Sequence, residues 1–189
     1  MVGKRRVQFR FQSKDINKGR IHVFKEGEVQ KAKNWVKKWV KENVREHIKI
    51  VDPYFGINQL EYISNVPNDC KVLIVTTNSK LNYDDADELE RDVKAEWELL
   101  GKSTFPRIPL FIVPRQAEGQ FHCITIVTDR KSRDIGESLN GLGLKAGKLA
   151  SPPPEDSREL EMKYVNHMLD HNSWFIKLDT YPLTAYISP

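Results

Sequence analysis

The segment IKIVDPYFG (48–56), together with CKVLIVTT (70–77), decides the fold of this chain. Both segments are strongly apolar, and the second has no polar alternation, as expected of a strand buried on both faces of a parallel sheet. The first segment stops at an Asp-Pro pair. Because proline cannot donate to a strand ladder and holds the preceding residue extended, Asp52 is predicted at the carboxyl end of a buried strand.

Amphipathic helices flank these strands. Apolar residues recur at three- and four-residue steps in 27–45 and again in 82–100, so both segments are predicted helices. The other predicted elements are strands at 6–12, 20–24, 108–114, 121–128 and 174–178, a short helix at 58–66 and a helix at 156–170. This alternation indicates a layered α/β fold with a mixed, largely parallel sheet flanked by helices.

Length and composition predict one domain over 1–189. Hydrophobic residues make up 39% of the 189 residues, and 30 basic residues against 26 acidic ones give a net charge of +4, too weak a bias to indicate nucleic-acid binding. No apolar run approaches 18 residues, and no signal peptide is evident, so membrane association is not expected and the cytoplasm is the expected compartment. The basic outer face of the strand at 6–12 is open to two interpretations, phosphate contact or simple solvation.

The strand FHCITIVT (121–128) carries the candidate chemistry. Residues two apart in a strand point the same way, so His122 and Ile124 share a face while Cys123 points away. An imidazole followed by a glycine-containing segment with hydroxyl and amide groups suits a phosphoryl group, because histidine can attack phosphorus or donate a proton and glycines let backbone N–H groups approach oxygens. A purely structural histidine is the alternative.

The spacing resembles the phospholipase D superfamily motif, H-x-K-x4-D-x6-G-[GS]-x-N, on His122, Asp129 and Gly136. The stretch IGESLNGLG is closest to a variant branch that reads H-D-R-F…D…G-x-S-L-N-x-L-G and also carries a D-P-Y-[FI] strand end. That branch includes bacterial phospholipase D-like domains and the C-terminal domain of microtubule-interacting-and-trafficking proteins. The resemblance covers about residues 25–150, with a C-terminal helix and strand at 156–180 beyond it.

The resemblance implies a phospholipase D-like layered sandwich and a set of site residues. The catalytic candidates it implies are His122, Asp129, Ser138 and Asn140. The motifs also make Gly136, Asp52 and Tyr54 candidate ligand-binding residues. Three cations are added by their positions in the sequence alone: Lys131 and Arg133 close after the strand, and Lys145 beside the glycine-rich bend. Solvated side chains are the alternative for Lys145. No metal and no cofactor are expected, since His167 and His171, four apart on a predicted helix, lack the glutamate base of a hydrolytic zinc site.

The sequence departs from the family pattern where the family carries a cation. Isoleucine stands at position 124 in place of lysine or arginine, and Cys123 replaces the aspartate of the variant form. Loss of one such charge-stabilising group typically costs about 2.7–4 kcal/mol in the transition state. A nearby cation, Lys131 or Arg133, is a candidate substitute. A second histidine would have to come from the partner in a homodimer.

Three functions remain open from the sequence. The first is a catalytically degenerate domain acting as a binding or interaction module for a phosphate-bearing ligand or a protein partner, such as a subunit of a larger bacterial defence or conflict assembly. The second is an active dimeric phosphodiesterase or nuclease with His122 as the nucleophile. The third is a membrane-lipid module. Membrane binding by a weakly basic protein without an exposed apolar anchor is expected to be marginal.

Overall fold

The structure, a computed structural model, describes residues 21–77, 86–102, 108–113, 124–136, 138–150, 176–179 and 183–187. These residues form an α/β fold. The strands are β1 (Ile21–Phe24), β2 (His47–Val51), β3 (Lys71–Thr77), β4 (Ile108–Val113), β5 (Ile124–Thr128), β6 (Ser132–Ile135), β7 (Gly147–Ala150), β8 (Ile176–Asp179) and β9 (Leu183–Ile187). The α-helices are α1 (Val29–Asn43) and α2 (Ala86–Leu99), and short 3-10 helices cover Ile57–Tyr62 and Leu139–Gly141.

The described strands form one sheet in the order β1-β7-β6-β5-β2-β3-β4-β9-β8. The neighbours β2–β3, β3–β4 and β4–β9 are parallel, and the other five described pairings are antiparallel. The prediction of a largely parallel sheet is therefore wrong for these pairings. For β5 and β6 the reason is local. Only the short turn 129–131 joins them, and a turn of this length can connect antiparallel strands but not parallel ones.

The hydrophobic core lies between one face of the sheet and the two α-helices. α1 contributes Ala32, Val36, Trp39 and Val40, α2 contributes Leu89, Val93 and Trp97, and the sheet contributes Ile48, Ile50, Val72, Ile74, Ile126 and Ile135. Strand residues on the opposite face, such as Val51 and Val75, are also buried, as the apolar runs in 48–56 and 70–77 predict.

Most predicted elements have counterparts within one to four residues of the predicted bounds. The helix expected over 27–45 spans Val29–Asn43, and the one expected over 82–100 spans Ala86–Leu99. The strand expected at 174–178 is β8, whereas β6, β7 and β9 are strands that the sequence did not predict. The predicted strand at 6–12 and the predicted helix at 156–170 lie outside the described residues.

Candidate functional site

The D-P-Y-F and S-L-N segments meet at the carboxyl edge of the sheet, by which we mean the edge where β2 and β3 end. The Asp52 side chain is buried there, and its Oδ2 atom accepts hydrogen bonds from Ser138 Oγ at 2.9 Å and from Leu139 N at 2.8 Å. Its Oδ1 atom accepts a third, from Tyr54 N at 2.9 Å. One carboxylate therefore connects two segments that are far apart in sequence.

The electrostatics of Asp52 are those of a structural acceptor. Burial raises the pKa of Asp52, and the hydrogen bonds from Tyr54 N, Leu139 N and Ser138 Oγ oppose that rise because they stabilise the carboxylate. With 0% of its surface exposed, Asp52 is sealed from solvent. Asp52 therefore lies at the carboxyl end of β2, as predicted, but both oxygens of its buried side chain accept hydrogen bonds from the protein instead of facing solvent, where a ligand would bind.

Ser138 contacts this carboxylate, and Asn140 follows it two residues later. The Ser138 hydroxyl donates to Asp52 and accepts a hydrogen bond from Asn140 N at 3.1 Å, so it caps the 3-10 helix Leu139–Gly141. Asn140 is exposed. The described hydrogen bonds of the Ser138 side chain are thus internal, whereas Asn140 faces outward.

Gln59 is a residue of this site that the sequence reading missed. It lies on the 3-10 helix Ile57–Tyr62 and is buried. Its Oε1 atom accepts a hydrogen bond from Gly56 N at 2.8 Å, and its Nε2 atom donates to Asn140 Oδ1 at 3.3 Å. Tyr62, on the same short helix, donates from its hydroxyl to Leu139 O at 3.2 Å.

Ile124 lies at the same edge, at the first position of β5. The antiparallel register pairs Val51 with Thr125, which puts Ile124 level with Asp52 along the sheet. The Ile124 side chain is partly buried, packs against the hydrophobic core and lies opposite Ile135 of β6. His122 and Cys123 lie outside the described residues.

The two candidate substitute cations are held elsewhere. Arg133 is buried on β6 with its Cζ atom 5.0 Å from the ring centroid of Trp35 and 5.5 Å from that of Trp39, and burial lowers its pKa to about 10. Such cation–π stacking fixes a guanidinium in place. Lys131 lies in the turn between β5 and β6, at the opposite edge of the sheet from Asp52.

Asp129 also lies at the opposite edge. It lies five residue steps along the chain from Ile124, which is about 17 Å in an extended strand. Its Oδ1 atom accepts hydrogen bonds from the backbone nitrogens of Arg45 at 2.9 Å, Glu46 at 3.1 Å and His47 at 3.4 Å. The structure therefore does not bring Asp129 to Ser138 and Asn140, and its visible role is to hold the start of β2.

The stability conferred by Asp129 is expected to depend on pH. Burial raises its pKa, but the backbone N–H groups of Arg45, Glu46 and His47 outweigh this and leave the pKa lowered. A carboxyl with a lowered folded-state pKa stabilises the protein above its unfolded-state pKa of about 4 and loses that contribution as the pH falls through the folded-state value. In urea unfolding, Asp129→Asn should therefore be less stable than wild type at pH 7, and the difference should shrink at pH 3. An equal difference at both pH values would contradict a role for the charge.

The remaining ligand-binding candidates are exposed. Tyr54 has 38% of its surface exposed, Gly136 follows β6 directly, and Lys145 lies in the turn that leads into β7. Tyr54 and Gly136 belong to the carboxyl edge around Asp52 and Ser138. Both are exposed to solvent, whereas Asp52 is buried.

Metal and thiol chemistry have no visible site in the described part of the chain. No group of three or more histidine, cysteine, aspartate or glutamate residues suited to a metal ion occurs there. Cys70 is a buried free thiol whose pKa burial raises to about 11, and His167 and His171 lie outside the described residues. Among the described helices, none combines the length and the apolar character needed to cross a membrane.

No protein-family model matches the sequence, and no curated protein is significantly similar to it. One solved structure that resembles the chain is that of TrmBL2, an archaeal chromatin protein whose structure shows a novel mode of DNA binding. The match covers 80% of this chain, spans about half of that protein (52%), and has 14% sequence identity and a TM-score of 0.49. At this level of similarity, no function is carried over.

Proposed function

We propose that this chain is a catalytically degenerate phospholipase D-like domain that serves as a binding module for a phosphate-bearing ligand, as a subunit of a larger assembly. The observation that carries the proposal is Ile124. In the family that the sequence resembles, this position holds a cation beside the substrate phosphate, whereas here an alkyl side chain packs against the core. A site without that cation retains its shape and loses charge stabilisation in the transition state.

The positions of Arg133 and Lys131 support the same proposal. Arg133 is on the Ile124 face of the sheet, because it lies opposite Ile126, but its guanidinium stacks on Trp35 and Trp39. To serve the phosphate it would have to leave that contact. Lys131 would have to cross the length of β5. Neither cation replaces the missing one from its described position.

The hydrogen bonds of the S-L-N segment also favour binding over catalysis. The Ser138 hydroxyl is engaged with Asp52 and with Asn140 N, so its oxygen serves the local fold. The exposed groups at this edge, Tyr54, Gly136 and Asn140, are suited to contacting a ligand.

Hydrolysis assays separate this proposal from an active phosphodiesterase. Wild type and His122→Ala are expected to release p-nitrophenol from bis-p-nitrophenyl phosphate at the same background rate, and to leave single-stranded DNA intact. Cleavage that resists EDTA and disappears in His122→Ala would overturn the degenerate assignment and favour the dimeric enzyme. Ile124→Lys, verified as folded by circular dichroism, tests whether restoring the cation alone yields measurable hydrolysis.

A further inference from the structure

Gln59 is a buried carboxamide in a part of the chain otherwise rich in apolar side chains. Only 7% of its surface is exposed, and its neighbours Leu60 and Tyr62 belong to the hydrophobic core. Burying an amide costs free energy unless its hydrogen bonds are made, so a buried glutamine requires defined partners. Its partners are Gly56 N and Asn140 Oδ1.

These partners fix which way both carboxamides point. A backbone N–H can only donate, so Gly56 N requires the oxygen of Gln59 on its side and turns the Gln59 nitrogen toward Asn140. That nitrogen can only donate as well, so it requires the oxygen of Asn140. The Asn140 NH₂ group is left on the other side of its carboxamide, and Asn140 is exposed, with no described residue accepting a hydrogen bond from that nitrogen.

We propose that Gln59 is a positioning residue. It holds the Asn140 carboxamide so that its NH₂ group faces the ligand and donates a hydrogen bond to an acceptor oxygen of that ligand. This inference rests on the proposed binding function, and it adds the chemistry of the contact. A donor group of the ligand would face the Asn140 NH₂ group, which cannot accept a hydrogen bond. The oxygens of a phosphodiester or a carboxylate can accept one from it.

Hydrogen exchange of the side-chain amides tests the orientation directly in ¹⁵N-labelled protein. In wild type, the Gln59 NH₂ protons are expected to be protected, and the Asn140 NH₂ protons, assigned by their loss in Asn140→Asp, should exchange as freely as those of an exposed asparagine. The reverse pattern would overturn the proposal without the need for any variant.

Gln59→Glu should invert the Asn140 amide. At pH 8 the ionised glutamate still accepts from Gly56 N, but its second oxygen now requires a donor, so Asn140 turns its NH₂ group inward. Exchange of one Asn140 amide proton should then slow by about fivefold, as expected for one hydrogen bond of ordinary net strength. Asn58→Asp is the matched control, because it introduces the same charge at an exposed neighbouring position and should leave Asn140 exchange unchanged. Unchanged exchange in Gln59→Glu would refute the positioning role.

A second measurement on the same samples separates this inference from the proposed function. Dimethyl phosphate, a minimal phosphodiester, should shift the Asn140 amide resonances in wild type and in Asn58→Asp, and much less in Gln59→Glu. If the exchange pattern holds but dimethyl phosphate shifts no resonance at this edge, the positioning role stands and the phosphate-binding function fails.

Discussion

Replacing Asp52 by alanine is expected to lower the free energy of unfolding by about 3 kcal/mol, because buried donors that lose their acceptor cost about 1–3 kcal/mol each. The substitution removes both oxygens that accept from Tyr54 N, Leu139 N and Ser138 Oγ. Two of the three hydrogen bonds are only partly buried, which is why the expected value lies at the lower end of the sum for three donors. Urea unfolding followed by tryptophan fluorescence would measure the change.

Two further substitutions show what the carboxylate contributes. Asp52→Asn keeps the size of the side chain and one acceptor oxygen. The donors on that side of the carboxamide keep their hydrogen bonds, so the cost should be about 1–2 kcal/mol. Ser138→Ala removes only the hydroxyl and should cost about 1 kcal/mol. The order alanine at 52, then asparagine at 52, then alanine at 138 follows from the donors left without an acceptor. Asp52→Ala leaves three such donors and Asp52→Asn leaves at least one, whereas Ser138→Ala leaves only Asn140 N, which is exposed. A cost below 1 kcal/mol for Asp52→Ala would show that this carboxylate does not hold the two segments together.

The sequence predicts the strands and helices that carry this site better than it predicts the contacts of the site's side chains. An Asp-Pro pair after an apolar run predicts where a strand ends, and hydrophobic periodicity predicts both α-helices, because these features depend on near neighbours in the chain. The hydrogen bond between Asp52 and Ser138 joins residues 86 positions apart, and only the resemblance to a family puts these two residues in one set of site candidates. Periodicity alone gives no indication of it.

Gln59 and Asp129 show why the other features of the site could not be predicted from the sequence. Gln59 is a polar residue in a short helical segment, and its hydrogen bond to Asn140 crosses 81 residues, so no local pattern marks it as buried. Asp129 has the spacing of a site residue, yet a strand as short as β5 is enough to carry it to the opposite edge of the sheet. Spacing along a chain identifies a motif member without saying on which side of the sheet its carboxylate will act.

Within the described residues, the site is an ordered scaffold with isoleucine at position 124, where the family that the sequence resembles carries a cation. Asp52, Gln59 and Tyr62 are buried and each forms a hydrogen bond that orients the segment from Ser138 to Asn140. Polar groups buried at such cost are retained where they specify one conformation. A binding module needs a single defined conformation at its site as much as an enzyme does. An ordered site with isoleucine at position 124 is therefore consistent with the proposed function.

Gly143→Ala is expected to destabilise the protein by about 3 kcal/mol, through two effects that act together. Gly143 has a φ of +78°, a conformation that side chains disfavour, and a Cβ there would lie 2.7 Å from Val29 Cα and 2.9 Å from Glu28 O. Both contacts are to backbone at the start of α1, so no side chain can turn aside. The carbonyl of Gly143 also accepts a hydrogen bond from Gly27 N at 3.0 Å, which a shifted loop would lose.

Gly101→Ala is the matched control for the backbone effect alone. Gly101 has a φ of +70°, but a Cβ there would meet nothing within 4 Å, so alanine should cost only about 1 kcal/mol. The difference between the two variants in thermal or urea unfolding measures the close approach of the G-x-S-L-N-x-L-G segment to α1. If the two alanines cost the same, the last glycine of that segment is required only for its backbone angle. A larger cost at position 143 would mean that the segment carrying Ser138 and Asn140 is pressed against α1 at one end and held by Asp52 at the other.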